Sequence, residues 1–395
     1  MSHVSRSDTS VIGRWWWTVD RTTIGIVLTL LAIGALLSFS ASPAMAQRLN
    51  LEAFFFVKRH LIFLVPSVIL LFSLSLLSPV WIWRLCLLGV AGGIAGMVLT
   101  LQIGEAVKGA ERWIDLGMVK LQPSEFMKPA FFVISAWLFA LDRRMKQLWA
   151  LPVNALLLVL ILGLLVMQKD FGQSVLFVAI WGFQFFLAGY PFIWMFGLGG
   201  VGIAGVYSAY TFMPHVRSRV NQFFDPEGDH YQIDRAAQAF NDGGWLGVGP
   251  GEGQVKDAIP DVHNDFIFSV LGEEFGLMAC IGVLLIYTLL ILRGIGVTAR
   301  YDSLFTALAA AGLVSQLGLQ AIINMASTLA IIPTKGMTLP FLSYGGSSLL
   351  SLAISMGLSS PSRGDEADKR ASYELDHSGR WWNRRPRLSG YGACP

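Results

Sequence analysis

"IPDVHNDFIFSVLGEEFG", residues 259–276, begins as a polar loop and ends inside an apolar run that continues to about residue 292. It holds four carboxylates: Asp261 and Asp265 on the loop side, Glu273 and Glu274 within the run. A charge at the centre of a bilayer costs about 2.5–3.5 kcal/mol, so acids beside or inside such a run call for a reason. The junction near Phe266 marks where a helix leaves water, which makes Asp265 the acid at the mouth. Asp261 has no special claim. Glu273 and Glu274 read as buried polar groups tied to packing, with a supporting cavity role open to one of them.

Working outward, nine further apolar runs are candidates to span a membrane. The set lies near 23–42, 60–78, 82–102, 125–141, 150–167, 171–189, 192–212, 266–292, 303–325 and 344–360. A spanning helix needs about 20 apolar residues. The chain of 395 residues is 54% hydrophobic and only 14% charged, against about 25% charged for a soluble domain. These features predict an all-α polytopic membrane protein with ten transmembrane helices, and they exclude an ordinary soluble domain. The segment "SPAMAQ" (42–47) has Ala44 and Ala46 at signal-cleavage spacing. Its apolar run is longer than a signal core and nine more follow, so it reads as the first span. Cys86, Cys280 and Cys394 show no metal-ligand or CxxC spacing.

Ten spans leave both termini on one side. Arg6, Arg14, Arg21, "DRRMK" (142–146), Arg293, Arg300, Arg363, Lys369 and Arg370 then share that side, as cytoplasmic loops do. The expected organisation is a cytoplasmic arm (1–22), a membrane domain (23–360) and a solvated tail (361–395). Between helices 7 and 8 lies a large extracytoplasmic loop, about 213–264. The outer loops carry cations that the orientation rule would keep inside: Lys108, Arg112, Lys120 and Lys128, then Arg217, Arg219, Arg235 and Lys256. Singly, each fits an exported loop with accompanying acids. Together they point to an anionic, phosphate-bearing ligand at the outer surface. Gly247, Gly249, Gly251 and Gly253 alternate in "NDGGWLGVGPGEG" (241–253). No nucleotide-binding glycine motif is present, and a flexible connecting turn is expected there.

Polar residues also interrupt the spans. In "QPSEFMKPAFF" (122–132), Ser124 is expected to cap a helix, with Glu125 and Lys128 three apart and able to pair. "QKDFGQ" (168–173) reads as a tight turn between spans five and six. Gln316, Gln320 and Asn324 recur every four residues, a polar stripe facing the bundle interior, a wet cavity or another helix.

Three segments together resemble the SEDS family of bacterial shape, elongation, division and sporulation proteins. They are "GAERWIDLG…LQPSEFMK" (109–128), "PDVHNDFIFSVLGEEFG" (260–276) and "PTKGMTLPFLSYGGSS" (333–348), in the family's order across residues 20 to 360. The third segment, with the "NMAST" that leads to it, is closer to the division branch than to the elongation branch. The start "RWWWTVDR" (14–21) is similar to division-type members from alphaproteobacteria. The resemblance implies a peptidoglycan glycosyltransferase of the cytoplasmic membrane, at the division septum. Its substrate would be lipid II, an undecaprenyl-diphosphate-linked disaccharide pentapeptide. Its partners would be a class B penicillin-binding protein and other division membrane proteins, with no nucleic acid.

Carried over residue by residue, Asp265 matches the family's essential acid and would act as general base. Arg112 and Trp113 match the "RW" of the first outer loop. Glu125, Lys128 and Asp170 match polar positions lining the central cavity. Arg217, Lys256, His263 and Lys335 complete the expected substrate-binding set. Asn264 stands where the family usually has Thr, and Lys169 where it usually has Pro. Mg or Mn would suit the growing diphosphate charge, yet no ligand cluster demands a metal and no cofactor is certain. Two other classes stay open: a lipid II flippase, and a non-enzymatic scaffold for division proteins.

Overall fold

The computed structural model describes residues 13, 15–16, 19–107, 110–115, 117, 120–191, 193–213, 216–218, 221, 231–260, 262–299, 301–333 and 336–359. A helix coincides with each expected apolar run. These are α1 (Arg21–Arg48), α2 (Phe55–Ser75), α3 (Pro79–Ile103), α4 (Pro123–Met145), α5 (Ala150–Met167), α6 (Phe171–Leu187), α7 (Ile193–Phe212), α9 (Ile267–Thr298), α10 (Leu304–Thr328) and α11 (Gly346–Ser359). Among the described residues, seven helices are long and apolar enough to cross a membrane: α1 to α5, α9 and α10. α6 and α11 are apolar but shorter. α1 runs unbroken through 42–47 despite Pro43.

Surface and interior divide as lipid immersion requires. Leu85, Leu88, Leu156, Val159, Leu285 and Leu292 are exposed, which in water would be an aggregating surface. α4 is enclosed on almost all sides, from Pro123 to Leu141. It packs on α3, α5, α6, α10 and α11 and so forms the centre of the bundle. The contacts between helix ends sort as an up-and-down chain predicts. At one end Arg293 makes a two-nitrogen contact with Asp20, 2.7–3.2 Å, and Arg143 donates to the Ala188 and Gly189 carbonyls. At the other, Arg112 reaches the Gln168 carbonyl, and the Tyr344 N–H donates to the His263 carbonyl at 2.9 Å.

The first outer loop departs from the all-α expectation. It folds into a small antiparallel sheet, β1 (Glu105–Val107), β2 (Ala110–Asp115) and β3 (Lys120–Leu121), in the order β1-β2-β3. Glu105 pairs with Trp113 and Ile114 with Leu121. The "RWID" stretch satisfies its backbone by pairing with the segments on either side.

The glycine-rich stretch is a second correction, because it is a docked element and not a flexible turn. It follows α8 (Tyr231–Gly243) and seats itself where α9 breaks. Gly276 adopts φ 76°, ψ −179° within α9, which interrupts the helical ladder and orphans carbonyls before the break and N–H groups after it. The loop supplies the missing partners. Val248 N–H donates to Glu273 O at 3.0 Å and Gly249 N–H to Glu274 O at 3.1 Å, while Leu277 and Met278 N–H donate to the Gly244 and Trp245 carbonyls. Buried backbone groups are nearly always paired, and here loop and helix complete each other.

Gly247 sits at φ 82°, and a Cβ there would overlap the Glu274 carbonyl. Gly247→Ala is therefore expected to lower stability by at least about 2 kcal/mol. The readout is a lower midpoint of thermal unfolding in detergent, while Gly251→Ala, whose Cβ meets nothing, costs less.

Candidate active site

The site is best built from Lys128, whose side chain is fully buried in α4. α4 starts at Pro123 with Gln122 as N-cap, and Ser124 makes no cap bond but accepts from the Gln122 amide at 3.1 Å. The helix thus begins two residues earlier than expected. This start sets Glu125 and Lys128 one turn apart, with Lys128 Nζ 2.8 Å from Glu125 Oε2. Nζ also donates to Gln320 Oε1 on α10 at 3.1 Å. Glu125 Oε1 accepts from Gln173 on α6 at 2.7 Å, and its main-chain carbonyl accepts from Ser351 on α11. Four helices meet at one ion pair.

From Gln173 the network runs toward the first outer loop. Asp170 caps α6, accepting from the Gln173 N–H at 3.3 Å. Arg112 lies 3.6 Å from Asp170 Oδ2 and donates to the Gln168 and Lys169 carbonyls. Those carbonyls belong to a turn in which Lys169 takes φ 57°. Burial pushes the Asp170 carboxyl above the usual carboxylate range, with Arg112 opposing the shift. Trp113 follows in β2, half-buried.

In the other direction the network climbs α10. Gln320 donates to the Thr338 carbonyl and hydroxyl at 3.1 and 3.2 Å, and Thr338 shares a hydrogen bond with Ser348. One turn on, Asn324 donates to the Asp265 carbonyl at 2.9 Å and to the Met337 carbonyl at 2.6 Å. Asp265 lies in the turn before α9, partly exposed. A Cβ on Gly336 would lie 3.5 Å from Asp265 Oδ2, an ordinary contact distance. His263 packs against Phe56 and Tyr344 at 4.5 and 5.3 Å between ring centroids.

The structure therefore gathers Arg112, Glu125, Lys128 and Asp170 into one network that reaches the backbone of Asp265. Lys256 is held elsewhere. It is buried and ion-paired with Glu274, so its charge is taken up inside the protein. Glu273 accepts from the Val255 and Lys256 N–H groups, which bears out the packing role read for both glutamates. Arg217 is exposed at 216–218, with no contact that brings it to the network among the described residues. Lys335 and Asp261 lie outside the described residues. Phe56, Thr338 and Tyr344 belong to the site although no reading singled them out. The only signal was their place in the aromatic run "FFF" (54–56) and the "PTKGMTLPFLSYGGSS" segment. Among the described residues no three His, Cys, Asp or Glu side chains gather as a metal site.

A helical bundle with an apolar exterior and a charged internal network defines an integral membrane protein. The chain belongs to the FtsW/RodA/SpoVE family of cell cycle proteins, whose model matches residues 21–361. It is 42% identical to the "Probable peptidoglycan glycosyltransferase FtsW" of Caulobacter vibrioides over 90% of this chain and 91% of that one. It is 33% identical to the stage V sporulation protein E of Bacillus subtilis, covering 86% and 95%. Among solved structures it is similar to a chain reported under "Structural coordination of polymerization and crosslinking by a peptidoglycan synthase complex". That likeness has TM-score 0.73, 26% identity, and 87% and 97% coverage. The Thermus thermophilus rod-shape protein RodA, 24% identical, shares the fold at TM-score 0.65, over 87% of this chain and 96% of that one.

Removing one partner of a buried pair leaves an uncompensated charge, a loss of about 3–5 kcal/mol. Lys128→Met and Glu125→Gln should each destabilise the protein on that scale. The double variant should lose less than the two losses combined, measured as a thermal double-mutant cycle in detergent.

Proposed function

We propose that the chain is a peptidoglycan glycosyltransferase that polymerises lipid II into glycan strands during septal wall synthesis. It would sit in the cytoplasmic membrane with ten spans, both termini inside and the 213–264 loop outside. The alternation of helix-end contacts supports that topology, as does the basic character of the inner loops. On this reading Asp265 is at the outer mouth, where a lipid-linked donor in the outer leaflet meets the growing chain.

One observation carries the mechanism. A carboxylate at the mouth is anchored through Asn324 to the same internal network that holds Lys128 and Arg112. Asp265 takes the proton from the acceptor GlcNAc 4-hydroxyl as that oxygen attacks the donor's anomeric carbon. The bond from that carbon to the diphosphate breaks, undecaprenyl diphosphate departs, and configuration inverts. Arg112 and Lys128 stabilise the charge growing on the diphosphate. Lys256 lies outside that network, paired with Glu274, and Arg217 is exposed. The likeness to a chain from a peptidoglycan synthase complex supports a transpeptidase partner, of the class B penicillin-binding type.

A general base is worth about 10²–10⁴-fold in rate, so Asp265→Asn should reduce polymer by at least about a hundredfold while melting like wild type. The assay is the purified protein with its transpeptidase, given labelled lipid II and scored for glycan chains and, separately, for flipping. Undiminished polymer from Asp265→Asn removes the base assignment. Flipping without polymer from wild type makes the protein a transporter, and neither makes it a scaffold.

A further inference from the structure

The polar stripe of α10 has a task that the reaction scheme leaves unassigned. Asn324 is fully buried, and its amide nitrogen is shared between two main-chain carbonyls that no backbone ladder joins: Asp265, ahead of α9, and Met337, ahead of α11. Its own carbonyl Oδ1 is buried with no hydrogen-bond partner. The neighbouring turn repeats the pattern. Gln320 donates to Thr338 and accepts from Lys128, so two amides four residues apart hold residues 337 and 338 to α10.

We propose that Asn324 is a positioning residue for Asp265. It staples the acid's backbone to the 336–338 segment, and with Gln320 it sets the distance between the carboxylate and Lys128. Neither end of the staple is held by regular structure. Asp265 lies in a turn, α9 begins only at Ile267 with no side-chain cap, and 336–339 carries no regular secondary structure. A single amide therefore substitutes for the secondary structure that both segments lack. Gly336, at φ 61°, brings the backbone of this segment beside Asp265 Oδ2. This inference rests on the reading of Asp265 as the base, and it names a group that acts through Asp265 without touching the reacting atoms.

The test uses full-length protein with its transpeptidase partner and lipid II. Asn324→Leu keeps the size and removes the donor; a displacement of about 1 Å at a reacting group can cost about a hundredfold. The expected result is a fall in kcat of at least about tenfold with KM within about threefold of wild type. Asn324→Asp keeps the shape but sets a second negative charge near Asp265, which raises the acid's pKa. Its residual activity should be lost at higher pH than wild type on the acidic limb. Hydrogen exchange read by mass spectrometry supplies a measure independent of catalysis. In both variants the peptides covering 263–267 and 336–339 should exchange faster together, with α4 and α5 unchanged.

A folded Asn324→Leu with wild-type kcat, or one that raises KM alone, overturns the proposal. So does exchange that rises throughout the bundle, because that describes a core defect and not a staple. Asp265→Asn run alongside separates the two ideas. If it retains full activity, the base reading fails on its own, and the paired exchange response still reports whether Asn324 holds the two segments together.

Discussion

Lys128 is fully buried in the central helix of a bundle whose outside faces hydrocarbon, and everything near it is arranged around that charge. An ammonium in such a place is tolerated only when paired and hydrogen-bonded on several sides. Glu125 supplies the counter-charge from one turn away, but a carboxylate brought in to neutralise a lysine has lone pairs of its own to satisfy. Gln173 donates to that carboxylate, Gln320 accepts from the ammonium, and Ser351 ties the Glu125 main-chain carbonyl, each from a different helix. One ion pair thus dictates which faces of α6, α10 and α11 turn inward. It also explains why α4, apolar enough to span a membrane, is the helix enclosed by the others.

The same constraint acts on the backbone at Gly276. Lipid offers no hydrogen bonds, so a broken helix survives at depth only when protein replaces the lost partners. The 244–249 turn does this at four bonds, and Glu273 and Glu274 bind its continuation through the Val255 and Lys256 N–H groups and the Lys256 ammonium. The loop between α7 and α9 is therefore part of the core over its described residues 244–256. Its order is transmitted to α9, at whose start Asp265 stands. A site on a turn is held here by elements on both sides: the loop and helix break below, the α10 amides beside it.

Much of this was readable from residues alone. The ten apolar runs, the Glu125–Lys128 pairing, the stripe on α10, and the separation of Asp265 from Glu273 and Glu274 all follow from spacing and from the cost of charge in lipid. Other features were not readable for identifiable reasons. Alternating glycines say that backbone conformation is unusual, but not what the backbone approaches, so docking onto the Gly276 break looked like slack. Lys256 carries the same charge as Lys128, and only the fold shows that its partner is Glu274. The short sheet in the first loop arises from pairing between segments whose propensities are weak one by one.

What the sequence determined by itself is the solvent and the periodicity. Long apolar runs demand helices, and polar residues three or four apart within them demand an inward face, because hydrocarbon leaves backbone and charge no other choice. What tertiary structure decided is the pairing of partners far apart in the chain: Lys128 with Gln320, Asn324 with Asp265 and Met337, and the glycine turn with Gly276. A cation or an amide states only that a partner is required. Which partner it receives depends on the packing of whole helices, a sum over many contacts that no local stretch contains.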